Sequence, residues 1–306
     1  AGGDTPPLPL IRRPLRIGAG GAVTLDHLLT PEEDHYLADH MMDEKPVLPA
    51  AAAVEYMAQF VAAGWPEWQV AELRDVRAFN GIVLDGQGRD LQLRARASTH
   101  SEAGQQAVTV EILDPVRKSA SYRATAVLMT QLPEMPHARI EHMHGAMPME
   151  AAKIYDELLF HGPRFRLVQR IAGIGPQGID ADVMPSNPRG FLGDAFRNAR
   201  WMFDPGLLDI PPQLAWVWGQ VHRNMGALPS RFGKVIRFGV APLHGPLSLS
   251  MRVKPAPNEH TVVYDAQFVD ASGNVRLLIV DGESVMSAAL NRMSRNAEAP
   301  AAGLIA

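Results

Sequence analysis

Two segments of the chain are apolar at almost every position, and both predict helices. The first covers residues 50–63, where Glu55 and Gln59 are the polar exceptions. The second covers residues 206–222 and opens on a pattern that includes two consecutive prolines. A helix that is apolar on nearly all sides is buried, so both segments are expected at the centre of a fold.

Strands are predicted wherever apolar and polar residues alternate with a period of two. Residues 90–99 are the clearest case, because leucine and alanine alternate there with glutamine and arginine. The predicted strands are 22–29, 69–79, 81–84, 90–99, 106–113, 119–130, 165–174, 231–238, 247–254, 261–269 and 275–286, with a further helix at 150–159. A buried helix and a set of antiparallel strands therefore occur twice, which predicts an α+β fold with sheets wrapped around helices.

Proline and glycine mark the boundaries between these parts. We predict a first unit at residues 1–131, a connector at 132–149, a second unit at 150–295 and an Ala/Pro-rich linker at 296–306. The Gly/Pro-rich start and the Ala/Pro-rich end suit a domain within a longer polypeptide. They equally suit frayed termini, and composition alone does not separate the two.

The composition narrows the class of protein. The 306 residues are 46% apolar, enough for a sizeable core, and the net charge of −4 argues against nucleic acid or an anionic membrane as the main partner. The absence of cysteine excludes disulfides and thiolate chemistry, which favours a cytoplasmic location. No segment approaches the roughly 20 apolar residues of a membrane helix, so no membrane partner is expected.

The first candidate for chemistry is His40, which precedes the start of the first buried helix. Pro49 follows nine residues later and suits the first turn of a helix, where a missing N–H has no cost. The free N–H groups and the dipole at a helix start favour developing negative charge. A titratable imidazole at this position suits removal of a proton next to a carbonyl group.

The second candidate is Asp209, at the start of the second buried helix. Pro211 and Pro212 are expected in the first turn of that helix, which would place Asp209 at or near its N-cap. Gln213 lies four residues further on, within reach of Asp209 on the same face. Asp209 is then either a cap or a functional group. Two titratable groups in different environments are a common source of a base and an acid.

Three motifs in this order resemble those of the dehydratase domains of polyketide synthases and polyunsaturated fatty acid synthases. His40 and Pro49 match the HxxxGxxxxP motif, and Asp209 and Gln213 match the DxxxQ motif. His161-Gly162-Pro163-Arg164-Phe165 is similar to the YGPxF motif, in the form found in the iterative and polyunsaturated fatty acid synthases. The resemblance extends from about residue 13 to 293.

This resemblance implies a double-hotdog fold, in which two curved antiparallel sheets each wrap around a buried central helix. It also implies a lyase that removes water from a 3-hydroxyacyl thioester to give a 2-enoyl thioester. His40 would be the base and Asp209 the acid. Gln213 would orient Asp209 or help to hold the hydroxyl group. His161 would replace the family's tyrosine and support Asp209, with Gly162 beside it. Backbone N–H groups after Pro49 would stabilise the thioester oxygen.

The family reaction needs no bound cofactor, because the acyl chain is carried by the phosphopantetheine arm of an acyl carrier protein. The implied partners are this carrier, the other domains of a multidomain synthase and a second copy in a homodimer. No metal is expected either. His35 and His40 lie near three aspartates, but their spacing matches no ligand motif.

One residue departs from the family pattern: Glu44 stands where the first motif has glycine. That glycine suits a loop conformation with positive φ. Glutamate there either leaves the loop functional, raises the pKa of His40 by its charge, or impairs the site. The alternatives to a dehydratase are therefore a non-catalytic acyl-binding or scaffold domain, and an isomerase or cyclase that uses the same site.

Overall fold

The structure is a computed structural model that describes residues 8–86, 88–102, 104–138, 143, 147–240 and 242–295. The linker predicted at 296–306 lies outside the described residues, as do 139–142 and 144–146 of the predicted connector. The α-helices are α1 (Ala50–Gly64), α2 (Ala151–Lys153), α3 (Pro188–Leu192) and α4 (Pro205–Arg223). Within the described part of the chain, no helix is long and apolar enough to cross a membrane.

Most of the remaining described residues form strands. These are β1 (Arg16–Ile17), β2 (Val23–Leu29), β3 (Met41–Met42), β4 (Lys45–Pro46), β5 (Gln69–Ala78), β6 (Arg89–Glu102), β7 (Gln105–Asp114), β8 (Ser119–Met129), β9 (Met147–Met149), β10 (Val168–Gly175), β11 (Gly178–Val183), β12 (Gly226–Arg237), β13 (Leu247–Lys254), β14 (Thr261–Val269) and β15 (Val275–Ser287). All of them except β3 and β4 belong to one antiparallel sheet.

The sheet joins the two halves of the chain. Its order is β1-β2-β6-β7-β8-β5-β12-β15-β14-β13-β11-β10-β9, so the strands of each half are contiguous. The halves meet where β5 pairs with β12, with Val76 opposite Phe232 and Leu73 opposite Val235. The alternation in the sequence predicted most of these strands but not this edge-to-edge junction.

Helix α1 lies in the core, as the apolar segment predicts. Every residue from 51 to 61 is buried, including the polar Glu55 and Gln59. Glu55 accepts hydrogen bonds from the backbone N–H groups of Met202 and Phe203, both at 2.8 Å. Gln59 donates to Glu55 and accepts from the N–H of Leu10. The two polar exceptions of α1 therefore bind the segment that leads into α4 and the N-terminal segment.

Several predicted elements differ in extent. The helix predicted at 150–159 is the short α2 followed by a π-helical turn, Ile154–Leu158. The strand predicted at 165–174 starts only at Val168, because Pro163–Phe165 form a 3-10 turn. The strand predicted at 81–84 contributes only a single bridge. The short strands β1, β3, β4, β9 and β11 were not predicted.

Candidate active site

His40 is held by a small hairpin that follows it in the sequence. It ends the 3-10 helix His35–Asp39 and precedes β3, which pairs with β4. This pairing reverses the direction of the chain and brings Val47 beside His40, where the N–H of Val47 donates to the carbonyl of His40 at 3.0 Å. The carbonyl of Val47 lies 2.8 Å from Nδ1 of His40. In the neutral ring, Nδ1 carries the proton and Nε2 keeps its lone pair.

Glu44 occupies the turn of this hairpin. Asp43 has φ of 47° and Glu44 has φ of 63°, so both turn residues adopt the left-handed conformation that glycine favours. The Glu44 side chain is exposed and does not line the cavity next to His40. Glu44 is also not among the main groups that shift the pKa of His40, which burial lowers. The structure therefore gives no support to a rise in this pKa through Glu44, and the effect of Glu44 on activity stays a prediction.

Asp209 is not the N-cap that the sequence predicted. The N-cap of α4 is Asp204, whose carboxylate accepts the N–H groups of Gly206 at 3.0 Å and Leu207 at 3.1 Å. Pro205 occupies the first position, as the apolar segment 206–222 indicates, so the helix starts more than one turn before the position inferred from the two prolines. The pair Pro211–Pro212 lies inside the helix and removes two backbone donors there. A strong upstream cap and a fully buried setting outweigh the preference of proline for the first turn.

Asp209 therefore projects from the second turn of α4 and is 4% exposed. Nε2 of Gln213, one turn further on, donates to Oδ2 of Asp209 at 2.8 Å. Tyr155 in turn donates its hydroxyl to Oε1 of Gln213 at 3.1 Å and accepts from the N–H of Val168. These contacts fix the orientation of the carboxylate. Tyr155 was not singled out in the sequence, because a tyrosine in an apolar helix pattern resembles an ordinary core residue.

His161 reaches Asp209 from a third segment. Its Nε2 lies 3.2 Å from Oδ2 of Asp209, and its ring stacks on Phe160 with a centroid distance of 4.1 Å. The rings of His161 and His40 are 5.3 Å apart. His161 is 5% exposed, and its Nδ1 is buried with no hydrogen-bond partner among the described residues. The structure thus places His161 between the histidine of one half and the aspartate of the other.

Gly162 and Arg164 attach this third segment to the residue before His40. The N–H of Gly162 donates to the carbonyl of Asp39 at 2.8 Å, and Nη1 of Arg164 lies 2.6 Å from Oδ2 of Asp39. A Cβ at position 162 would lie 2.1 Å from Oδ1 of Asp39, so any other residue requires the two segments to move apart. Asp39 therefore sets the spacing between the segments that carry His40 and His161. No pattern in the sequence indicates this role for Arg164.

The three titratable side chains meet at one cavity. One nitrogen of His40, one of His161 and one oxygen of Asp209 all lie within 4.8 Å of one another. The adjoining cavity has a volume of about 630 Å³, and its lining includes Phe160, Trp216 and Tyr122. An apolar cavity with a few convergent polar groups is the usual form of a site for a small molecule or acyl chain.

The electrostatics of the site favour a neutral imidazole beside a carboxylate. Burial lowers the pKa of His40 to about 4, against an opposing effect of Asp209, so the ring is neutral near pH 7. Burial alone would raise the pKa of Asp209, but hydrogen bonds from His161 and Gln213 and the field of the two histidines outweigh it. The pKa of Asp209 therefore lies below its ordinary value, and the free site contains a carboxylate.

Pro49 is the N-cap of α1 and lies beside the same cavity, whose lining includes Leu48 and Ala50. The N–H of Ala53 donates to the carbonyl of Pro49 at 3.0 Å, which closes the first turn. The N–H groups of residues 50–52 precede this bond and have no hydrogen-bond partner within the described residues. These amides are the donors nearest to the site from α1.

The fold is that of known dehydratase domains. The dehydratase domain from the CurJ module of curacin polyketide synthase has a TM-score of 0.68 at 17% identity, covering 91% of this chain and 97% of that one. The dehydratase domain of PpsC from Mycobacterium tuberculosis has a TM-score of 0.66 at 18% identity, covering 92% and 99%. These likenesses confirm the double-hotdog α+β fold.

Family models match both halves of the chain. One described as "Polyketide synthase dehydratase domain" matches residues 9–114, and one described as "Polyketide synthase dehydratase N-terminal domain" matches residues 133–293. The second match alone covers more than half of the chain. The chain therefore belongs to the polyketide synthase dehydratase family, which confirms the expected class of enzyme.

A curated relative comes from a larger protein, the polyunsaturated fatty acid synthase of Thraustochytrium sp. One polypeptide of that synthase is 24% identical over 260 residues, which are 83% of this chain and 9% of the longer polypeptide. The chain thus corresponds to a small part of the relative's length, and the relation to a multidomain synthase rests on that part.

Proposed function

We propose that this chain removes water from a 3-hydroxyacyl thioester carried on an acyl carrier protein and forms a 2-enoyl thioester. The observation that carries the proposal is the meeting of His40 and Asp209. These residues come from different halves of the chain and border one cavity of about 630 Å³. An acyl chain of moderate length fits a cavity of this size.

His40 is the base in this proposal. Its Nδ1 is bound to the carbonyl of Val47 at 2.8 Å, whereas Nε2 has no hydrogen-bond partner among the residues described. Nε2 would take the proton from the α-carbon of the thioester. The pKa of about 4 keeps the base in its reactive form at neutral pH.

Asp209 is the general acid in this proposal. Its Oδ2 accepts hydrogen bonds from His161 and Gln213, whereas Oδ1 accepts none from the described residues. Oδ1 is therefore left for the β-hydroxyl group of the substrate. The apolar acyl chain would displace water from around Oδ1 and raise the pKa of the carboxyl group in the complex. With its pKa raised, Asp209 would take up a proton from solvent as the substrate binds and pass it to the departing hydroxyl group, which leaves as water. The α-proton stays on Nε2 of His40 and returns to solvent after the product leaves.

The thioester oxygen would be stabilised by the free N–H groups after Pro49, at the start of α1. Ala50 belongs to the lining of the cavity, which supports this assignment. Gly162 is not a donor here, because its N–H already binds the carbonyl of Asp39. Its proposed contribution is to allow close approach of the two segments.

The wider setting is part of the proposal. The partners are an acyl carrier protein with its phosphopantetheine arm, the other domains of a cytoplasmic multidomain synthase, and a second copy of the chain in a homodimer. The match to 9% of a synthase polypeptide supports a place within such an assembly. We keep the units 1–131 and 150–295 as the two hotdog halves, with a connector at 132–149. No resident metal or organic cofactor takes part.

The proposal is tested with 3-hydroxyacyl pantetheine thioesters and the same acyl groups on a carrier protein, with water loss followed by mass spectrometry. We expect turnover by the wild type and a loss of at least about 100-fold in kcat for His40→Ala and for Asp209→Asn. His35→Ala is the matched control, because His35 is a histidine of the same segment outside the cavity lining. Full activity of both site variants would refute the assignment.

The alternatives predict different outcomes in the same experiment. One structural neighbour is described as an isomerase-inactive variant of the first GphF dehydratase, which makes isomerisation the second candidate. A shifted double bond in the product, with 2-enoyl thioester as substrate, would favour it. Binding of acyl carrier protein without any turnover would favour a non-catalytic domain.

A further inference from the structure

Three potential metal ligands converge in the site although the sequence predicted none. His40, His161 and Asp209 are separated by more than 120 and more than 40 residues in the chain, and all three are buried. Their ligand atoms lie within 4.8 Å of one another. Two imidazoles and one carboxylate, with a fourth position open, form a donor set typical of zinc and related transition metals.

Two of the three ligands, His40 and Asp209, are also oriented by the groups behind them. His40 has its Nδ1 bound to the carbonyl of Val47 at 2.8 Å, which directs the lone pair of Nε2 away from the backbone. Gln213 donates to Asp209 at 2.8 Å and leaves Oδ1 unoccupied by any described residue. Nδ1 of His161 has no partner in the described structure, so it can take the proton that Nε2 now donates to Asp209, which leaves Nε2 free to bind an ion.

The distances between the ligand atoms suit tetrahedral coordination of an ion after a small movement of the side chains. Ligand atoms around zinc lie about 3.4 Å apart when the bonds are about 2.0–2.1 Å long. Nε2 of His161 and Oδ2 of Asp209 are already 3.2 Å apart. The remaining separations are at most 4.8 Å, so side-chain movements of about 1 Å would complete the site. The adjoining cavity supplies room for water as the fourth ligand.

We propose that His40, His161 and Asp209 bind Zn²⁺, and that the bound ion blocks the site. The ion would occupy the lone pair of Nε2 of His40 and the carboxylate of Asp209, which the proposed dehydration needs free. Metal binding itself does not depend on the proposed function. The predicted inhibition does rest on it, so binding and inhibition are measured separately.

Binding is measured by calorimetric titration of the untagged chain with Zn²⁺, and by the visible spectrum of Co²⁺ as a probe of four-coordinate geometry. We expect one equivalent with micromolar or tighter affinity. His161→Gln keeps a donor for Asp209 but removes the imidazole, and Asp209→Asn removes the charge. Each should weaken binding at least tenfold. Thermal unfolding of both variants without metal checks that they are folded.

The connector provides the matched control. Its sequence contains His142 and His144, outside the described residues, and such a pair binds metals on its own. The double variant with alanine at both positions should bind the stoichiometric ion as tightly as the wild type. Unchanged affinity in His161→Gln and Asp209→Asn, or loss of the site in the connector variant, would overturn the proposal. Inhibition of water loss by Zn²⁺, reversed by a chelator, is the functional counterpart.

Discussion

Replacement of Gly162 by alanine tests how closely the two halves must approach. The backbone at this position has φ of −82° and ψ of −179°, which alanine adopts freely. Any effect is therefore steric. The new Cβ would lie 2.1 Å from Oδ1 of Asp39 and 2.7 Å from its Cβ and Cγ. An ordinary contact needs at least 3.4 Å, so the segments must separate by about 1.3 Å.

This displacement acts directly on the reacting groups. Asp39 precedes His40 and Gly162 follows His161, so separation of the two segments moves His40, the proposed base, away from His161 and its partner Asp209, the proposed acid. A misplacement of about 1 Å costs roughly 100-fold in rate. Overpacking of this kind also destabilises a protein by about 1–3 kcal/mol. We expect Gly162→Ala to lower kcat about 100-fold while the chain remains folded.

The assay is turnover of a 3-hydroxyacyl pantetheine thioester at saturating substrate, together with urea unfolding. Gly175→Ala is the matched control, because a Cβ at position 175 meets no atom within 4 Å. It should retain full kcat. A kcat for Gly162→Ala within threefold of the wild type would refute the argument that Asp39 fixes the spacing of the site.

Three further variants test other parts of the account. Glu44→Gly should keep kcat/KM within about twofold and raise the free energy of unfolding by about 1 kcal/mol, because Glu44 adopts φ of 63° outside the cavity; a large gain in activity would show that Glu44 impairs the site. Asp204→Ala should cost about 2–3 kcal/mol in urea unfolding, since its carboxylate accepts the N–H groups of Gly206, Leu207 and Ser186; a cost below 1 kcal/mol would contradict its role as the cap of α4. Burial lowers the pKa of His27 from 6.5 to about 4. Between pH 4 and about 6.5 the unfolded chain therefore binds more protons at His27 than the folded chain does. The free energy of unfolding falls as the pH drops through this range, by about 3 kcal/mol for this group. His27→Gln should remove this part of the pH-dependent loss of stability. An unchanged pH dependence of unfolding in this variant would refute the prediction.

Local patterns predicted the two buried helices and most of the longer strands. Helix α1 follows from its apolar run, and strands β6 to β8 follow from their alternation. The junction of β5 with β12 was not predictable in the same way, because many strands share the pattern that allows pairing at an edge. The resemblance to dehydratases supplied the double-hotdog arrangement that the patterns alone left open.

The prediction for Asp209 failed for a physical reason. The local rule that two prolines mark a first turn placed the helix start wrongly, because it ignored the cap that Asp204 provides upstream. The packing that buries α4 stabilises the helix in spite of the two backbone donors that are missing at Pro211 and Pro212. The i,i+4 relation of Asp209 and Gln213 did not depend on the helix start, so the contact between them was predicted nonetheless.

Contacts between residues far apart in the sequence were the hardest to predict. The anchoring of Asp39 by Arg164 spans 125 residues, and the approach of His161 to His40 depends on it. No spacing rule links such positions. The same applies to the convergence of His40, His161 and Asp209, the three proposed metal ligands, which no motif in the chain predicts.

The central claim is that His40 removes the α-proton and Asp209 supplies the proton to the departing hydroxyl group. The most direct test is exchange of the α-hydrogen in deuterium oxide, measured by mass on a 3-hydroxyacyl pantetheine thioester beside water loss. The account predicts that Asp209→Asn still exchanges the α-hydrogen but loses no water, whereas His40→Ala does neither. Exchange that persists in His40→Ala would contradict the account.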